Sequence, residues 1–206
     1  FERCIRLLIH VADHEEENNS NNSVRNQITP FYQAYLSGTH ATLVQRIAVM
    51  NECLSSIVAG RRSLGFQMLS TALEDRWTRF GWNEFGARPR DYGLHPNHDE
   101  LVEWRSAFID VTVQLGTSGT PELAEPARLI MANTFRGLWR QPAIRDKLVE
   151  AAYTLHAHHP WGEGWKAVRS TIYFDHTKRN DDDDFEPLPE NLAALDKALV
   201  PHDLVP

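Results

Sequence analysis

The stretch from Thr39 to Trp77, THATLVQRIAVMNECLSSIVAGRRSLGFQMLSTALEDRW, most limits what this chain can fold into. Leu43, Ile47, Met50, Leu54 and Ile57 recur at spacings of four and three, the single stripe of an amphipathic helix. After Gly60, Leu64, Met68, Leu69, Ala72 and Leu73 repeat the pattern. Glycine takes up positive φ at no steric cost where a helix stops, so the pattern predicts two helices folded back on each other at Gly60. Such a hairpin cannot bury its apolar faces alone, and further helices must stack on it.

The rest of the chain supplies them. Residues 1–13 read as a helix with Ile5, Leu8 and Val11-Ala12 inward, followed by an exposed loop, DHEEENNSNNS. Thr29-Pro30 is a helix start for Phe31–Leu36, and Thr39 is expected to cap the next helix. Asn97 with Glu100 forms a capping box ahead of Leu101, Trp104, Phe108, Val111 and Leu115, and Gly116 ends that helix. Thr120-Pro121 opens another, with Leu123, Ala127, Ile130, Thr134 and Leu138 on one face and a kink or restart expected at Pro126. Pro142 opens a helix with Ile144, Leu148, Ala151 and Leu155, closed at His159-Pro160. Trp161, Trp165, Val168 and Ile172 form a further face. An acidic linker (175–189) then leads into a last helix from Pro189 with Leu192, Leu195 and Leu199.

No strand alternation persists, so the fold class is all-α. Hairpins begin near 40, 97 and 142, intervals of about 57 and 45 residues, the second within the HEAT/armadillo range. The expected architecture is antiparallel helical hairpins stacked as a short HEAT/TPR-like right-handed superhelix, an α-solenoid, with residues 1–206 as one repeat domain. The chain opens on Phe1 inside a helical pattern and closes on Leu204-Val205-Pro206, which reads as a piece of a longer protein.

The net charge of −7 argues against a general nucleic-acid binder. There are 17 Arg and 4 Lys, which predicts Arg–carboxylate pairs between helices. Cys4 and Cys53 read as buried apolar residues rather than a disulfide. Two Asn-X-Ser acceptor patterns (18–20 and 21–23) have no other sign of secretion beside them. No apolar run approaches the ~20 residues of a membrane span. A cytoplasmic chain is the expectation.

Residues 77–96, WTRFGWNEFGARPRDYGLHP, are the least regular part, and long irregular segments often carry function. Arg79, Trp82, Phe85, Arg88, Arg90, Asp91 and Tyr92 are therefore the candidate interaction surface, since Arg and aromatics dominate interface cores. The competing reading has Trp77, Phe80, Trp82 and Phe85 merely capping the open end of the hairpin. The Arg/aromatic segment 61–92 could alternatively stack bases and bind phosphates.

His95, His98 and Asp99 are the nearest approach to a metal-dependent hydrolase, but Pro96 separates the histidines and Asn97 is already a cap. His156, His158 and His159 suit helix C-terminal carbonyls, and Asp181–Asp184 lacks the alternation and glycine of a calcium loop. There is no P-loop and no G-x-S-x-G. No catalytic, metal or cofactor-binding residue is assigned, and no cofactor is expected.

The segments YLSGTHATLVQRIAVMN (35–51), GRRSLGFQML (60–69), FGARPRDYG (85–93), FRGLW (135–139) and GWKAVRSTIYFD (164–175) resemble the helical-repeat region of large bacterial STAND-type (NACHT-like) ATPases. The resemblance covers residues 35–175 and is carried by structural motifs. It implies a superhelix that recognises a protein partner, or other domains of the same chain, and releases an upstream ATPase in signalling or antiphage defence. It places no ATPase residue in this chain.

Overall fold

The computed structural model describes residues 1–15, 23–35, 37–74, 93–177 and 186–201. Among these the chain is all-helical, without strands. The helices are α1 (Glu2–Ala12), α2 (Val24–Ile28), α3 (Leu43–Leu54), α4 (Ala59–Leu73), α5 (His98–Gly116), α6 (Pro121–Trp139), α7 (Arg145–His158), α8 (Gly162–Asp175) and α9 (Glu190–Ala198). They fall into two compact units, 1–104 and 105–206.

The first unit is built on the α3–α4 hairpin, with α1 against α3 and a 3₁₀ turn at Thr29–Tyr32 against α4. The α4 stripe buries as expected: Leu64, Met68, Leu69, Ala72 and Leu73 are all in the core. The turn is not at Gly60. Helix α3 stops at Leu54, and Ser55–Val58 form the connection, with Ser56 Oγ accepting from the Val58 N–H at 3.1 Å. Arg62 reaches back to the Ser56 and Ile57 carbonyls (2.8 and 3.0 Å). Ile57, expected on the buried stripe, is 95% exposed.

Gly60 sits in the first turn of α4, where a side chain would meet the Arg25 guanidinium 2.9 Å away. That guanidinium bonds the Gly60 carbonyl. Glycine is thus used for a close approach rather than for a positive φ. The positive-φ glycines among the described residues are Gly38 and Gly93. At Gly93 a side chain would collide with the Thr39 backbone at 2.5 Å, so this position needs glycine for both reasons.

The N-terminal start signals are also displaced. Helix α2 is capped by Ser23 and runs into the 3₁₀ turn, so Thr29-Pro30 continues a helix instead of starting one. Thr42, not Thr39, caps α3, in a complete capping box with Gln45. On α1 the buried residues are Ile5, Ile9 and Ala12, and Val11 faces out. Cys53 is buried as expected and Cys4 is exposed.

After the 3₁₀ turn ends at Tyr32, the described residues from Gln33 to Ala41 belong to no helix whose ladder would satisfy their carbonyls. Arg46, fully buried, does so instead. Its Nε donates to Ala41 O (3.0 Å), Nη1 to Phe31 O and Gln33 O (3.2 Å), and Nη2 to Ser37 Oγ (3.0 Å) and Thr39 O (3.3 Å). The guanidinium lies 4.9 Å from the Trp104 ring centroid. Burial pulls its pKa down to about 10, which still leaves it charged at neutral pH. One planar fork serves five acceptors.

In the second unit the helices run in two directions. The α5 Asp110 carboxylate meets Lys147 of α7 at 2.6 Å, and a side chain at Gly116 would touch Leu155 at 2.5 Å, so α5 and α7 run the same way. Arg128 of α6 reaches His159 at the start of the α7–α8 junction, and Arg136 reaches Asp175 at the end of α8. Helices α6 and α8 are therefore also mutually parallel. Asn191 of α9 lies beside Asp146 of α7, and Asp196 lies beside Arg169 of α8, so α9 runs against α8 and with α7. Helix α6 continues through Pro126 without interruption. The capping box of Asn97 and Glu100 at α5 forms as expected (2.8 and 3.0 Å).

The expected Arg–carboxylate pairs tie these elements together. Asp175 takes Arg136 on both oxygens (3.1 and 3.0 Å from Nε, 2.7 Å from Nη2) and Arg140 at 3.1 Å. Arg145 pairs with Glu186 and lies 5.1 Å from the Trp139 ring centroid. The buried Trp139 indole donates to His176 Nε2 at 2.9 Å. Indole N–H can only donate, so the proton of His176 belongs on Nδ1, facing the Glu186 carbonyl.

Arg46→Met removes a partner from five acceptors at once and is expected to cost on the order of 3–5 kcal/mol, read as a lower urea midpoint. Arg46→Lys should recover little, because one ammonium cannot span the same acceptors. Burial raises the Asp175 carboxyl, but hydrogen bonds from Arg136 and Arg140 outweigh it and hold it below the usual carboxylate range. Its contribution is present above the unfolded carboxyl pKa, about 3.9, and is lost as pH falls through the lower folded value. Urea titrations from pH 5 to about 2 should show wild type losing more stability than Asp175→Asn, which starts lower and falls less.

Candidate functional site

A concavity of about 650 Å³ lies in the second unit. One wall is a face of α6, where Pro121, Ala124, Glu125, Arg128 and Leu129 follow the three–four spacing that keeps side chains on one side of a helix. The other side comes from the α5–α6 turn (Gly116, Ser118, Gly119) and the α7–α8 junction (His158, His159, Pro160, Glu163). Both connections lie at the same end of the unit because α5 and α7, and α6 and α8, are in register.

Arg128 forms the floor and is only 8% exposed. Its Nη1 donates to Leu155 O at 2.7 Å, and Nη2 donates to His159 O (2.6 Å) and Pro160 O (3.1 Å). A cation from a neighbouring helix thus caps the carbonyl end of α7, where the helix dipole favours positive charge. Burial lowers the Arg128 pKa, opposed by the Glu163 carboxylate. The Trp161 indole donates back to Arg128 O at 3.3 Å, and Trp161 lies against Gly164 so closely that a side chain there would sit 2.0 Å from its ring. Glycine at 164 lets the indole close the junction.

The residues singled out from sequence distribute differently. Arg79, Trp82, Phe85, Arg88, Arg90, Asp91 and Tyr92 lie outside the described residues, as does the hairpin-cap reading of Trp77 and Phe80. From the proposed basic segment, Arg61 pairs with Asp13 at 2.6 Å and Arg62 is spent on the α3–α4 turn. His95, His98 and Asp99 are exposed, and among the described residues no three His, Cys, Asp or Glu side chains are placed to hold a metal ion. His156 Nδ1 accepts from the Trp161 N–H (3.4 Å), while His158 and His159 line the cleft. Burial pushes the Cys53 thiol up to about 11, so it is not a thiolate at neutral pH.

Sequence reasoning missed Arg128 and the cleft. No local signal marked it, since a charged residue beside an apolar position such as Ala127 reads as polar.

No protein-family model, no curated protein and no solved structure matches this chain. No described helix is long and apolar enough to cross a membrane.

Arg128→Met would take the arginine donor from the His159 and Pro160 carbonyls and leave the Leu155 carbonyl with the His159 N–H. A loss of about 2–3 kcal/mol is expected, with amide exchange quickening first in the last turn of α7 and the first turn of α8.

Proposed function

We propose that this chain is a non-enzymatic helical-repeat module that recognises or scaffolds a protein partner, within a larger bacterial signalling or defence ATPase of the STAND type. The observation that carries the reading is the order of helices in the second unit. Helices α5, α7 and α9 share one direction, α6 and α8 share the other, and successive connections alternate between the two ends of the unit. Alternating rows of this kind are how helical repeats extend a core one hairpin at a time. The buried cations support it as well. Arg46 and Arg128 are committed to backbone carbonyls, which is work on architecture rather than on a substrate. The partner or adjoining domains would dock on surfaces left between connections, and a cytoplasmic setting fits that role.

Affinity purification of the tagged full-length gene product, followed by cross-linking and mass spectrometry, tests this. Expected are a stoichiometric partner or intramolecular domain contact that survives EDTA, and a P-loop ATPase in the same chain. Conversion of the captured partner into a cleaved or modified product would overturn the non-enzymatic reading. A gene product with no ATPase domain would overturn the family assignment alone.

A further inference from the structure

We propose that the cleft of the second unit holds a basic side chain, Arg or Lys, presented by an extended segment of a protein partner. The inference rests on the recognition reading above and names its chemistry. A volume of about 650 Å³ is in the range of sites that enclose a ligand group. The apolar part of the lining, Pro121, Ala124, Pro160 and the half-exposed Leu129, matches the aliphatic stem of such a side chain.

The charged part decides the sign. Glu125 and Glu163 are exposed on the cleft and have no hydrogen bond or ion pair among the described residues. Elsewhere in the chain Asp13, Glu52, Asp175, Glu186 and Asp196 each hold an arginine. Arg128 acts on Glu163 through its charge but makes no ion pair with either cleft carboxylate, since its Nη1 and Nη2 groups point to three carbonyls, and two carboxylates face this one buried cation. The N-termini of α6 and α8 open here and would on their own favour an anion. Glu122 and Glu163, in their first turns, already answer those dipoles. A carboxylate or phosphate entering the cleft would face Glu125 and Glu163, whereas a guanidinium or ammonium would pair with them.

The probe is the blocked tripeptide Ac-Leu-Arg-Leu-NH2, titrated into isotope-labelled protein and followed by NMR, with Ac-Leu-Glu-Leu-NH2 and Ac-Leu-Gln-Leu-NH2 in parallel. Expected are saturable shifts at Ala124, Glu125, Leu129, His158 and Glu163 with the arginine peptide, weaker with glutamine and absent with glutamate. Two exposed ion pairs together are worth about tenfold in affinity, so Glu125→Gln/Glu163→Gln should weaken the arginine peptide by that factor. The melting temperature should fall only slightly, by what Glu163 contributes at the α8 N-terminus and to the Arg128 charge, because neither carboxylate makes an internal hydrogen bond or ion pair. No saturable shifts at tens of millimolar, equal shifts with the glutamate peptide, or an unchanged affinity in the double variant would each overturn the assignment. A captured partner whose cross-links spare the cleft would overturn it too, and would leave the recognition reading standing. Turnover of a partner would overturn the recognition reading whatever the arginine peptide does.

Discussion

A buried guanidinium hydrogen-bonded to backbone carbonyls rather than to a carboxylate is the interaction on which the irregular parts of both units depend. Helices satisfy their own carbonyls except in the last turn, and irregular segments hardly do so at all. Where such groups are buried, something else must donate to them. Arg46 does this for the segment between Phe31 and Ala41, and Arg128 does it for the end of α7. Arginine suits the task because its donors are fixed in a plane and its charge is weakly hydrated compared with an ammonium. The chain uses 17 Arg and 4 Lys, and these two positions show why a swap would not be conservative.

The arginines paired with carboxylates act differently. They lie nearer the surface: Arg6 with Glu52 joins α1 to α3, Arg136 and Arg140 meet at Asp175, and Arg169 meets Asp196. Exposed pairs of this kind contribute only about 0.2–1 kcal/mol each. They fix which face of a helix meets its neighbour more than they hold the fold together. The large energies reside in buried indoles and aliphatics, with Trp104, Trp139 and Trp161 each almost fully buried and each donating its N–H. A buried Trp carries both area and an obligatory donor, so its partner is determined along with its position.

Much of this was legible in the residues. Long periodic runs with a cap at the start, α5 behind Asn97 and α9 behind Pro189, appear where the pattern puts them. The errors have physical reasons. Ile57 continues the three–four spacing of α3, but spacing alone cannot separate a last helical residue from the turn that follows. Gly60 looks like a turn because glycine weakens a helix. Its real constraint is the Arg25 guanidinium, which is 35 residues away in sequence and so invisible to a local reading. Arg46 and Arg128 were passed over as candidate core because a charged residue at an apolar-adjacent position reads as polar. The cleft draws on residues 116–129 and 158–163, and no motif links those stretches.

The cleft and the floor beneath it are set by the same bonds, and this bears on what the cleft can do. Arg128 fixes the carbonyl end of α7 and so the spacing between the α5–α6 turn and the α7–α8 junction. A concavity whose depth is determined by buried hydrogen bonds does not have to be assembled on binding, and the ordering cost of association falls accordingly. Of its exposed rim residues, Glu125 and Leu129 make no hydrogen bond to that floor, whereas Glu163 supports the Arg128 charge from α8. The rim is thus carried on α6 and α8 themselves, and its side chains are held in place by the same buried bonds that set the floor.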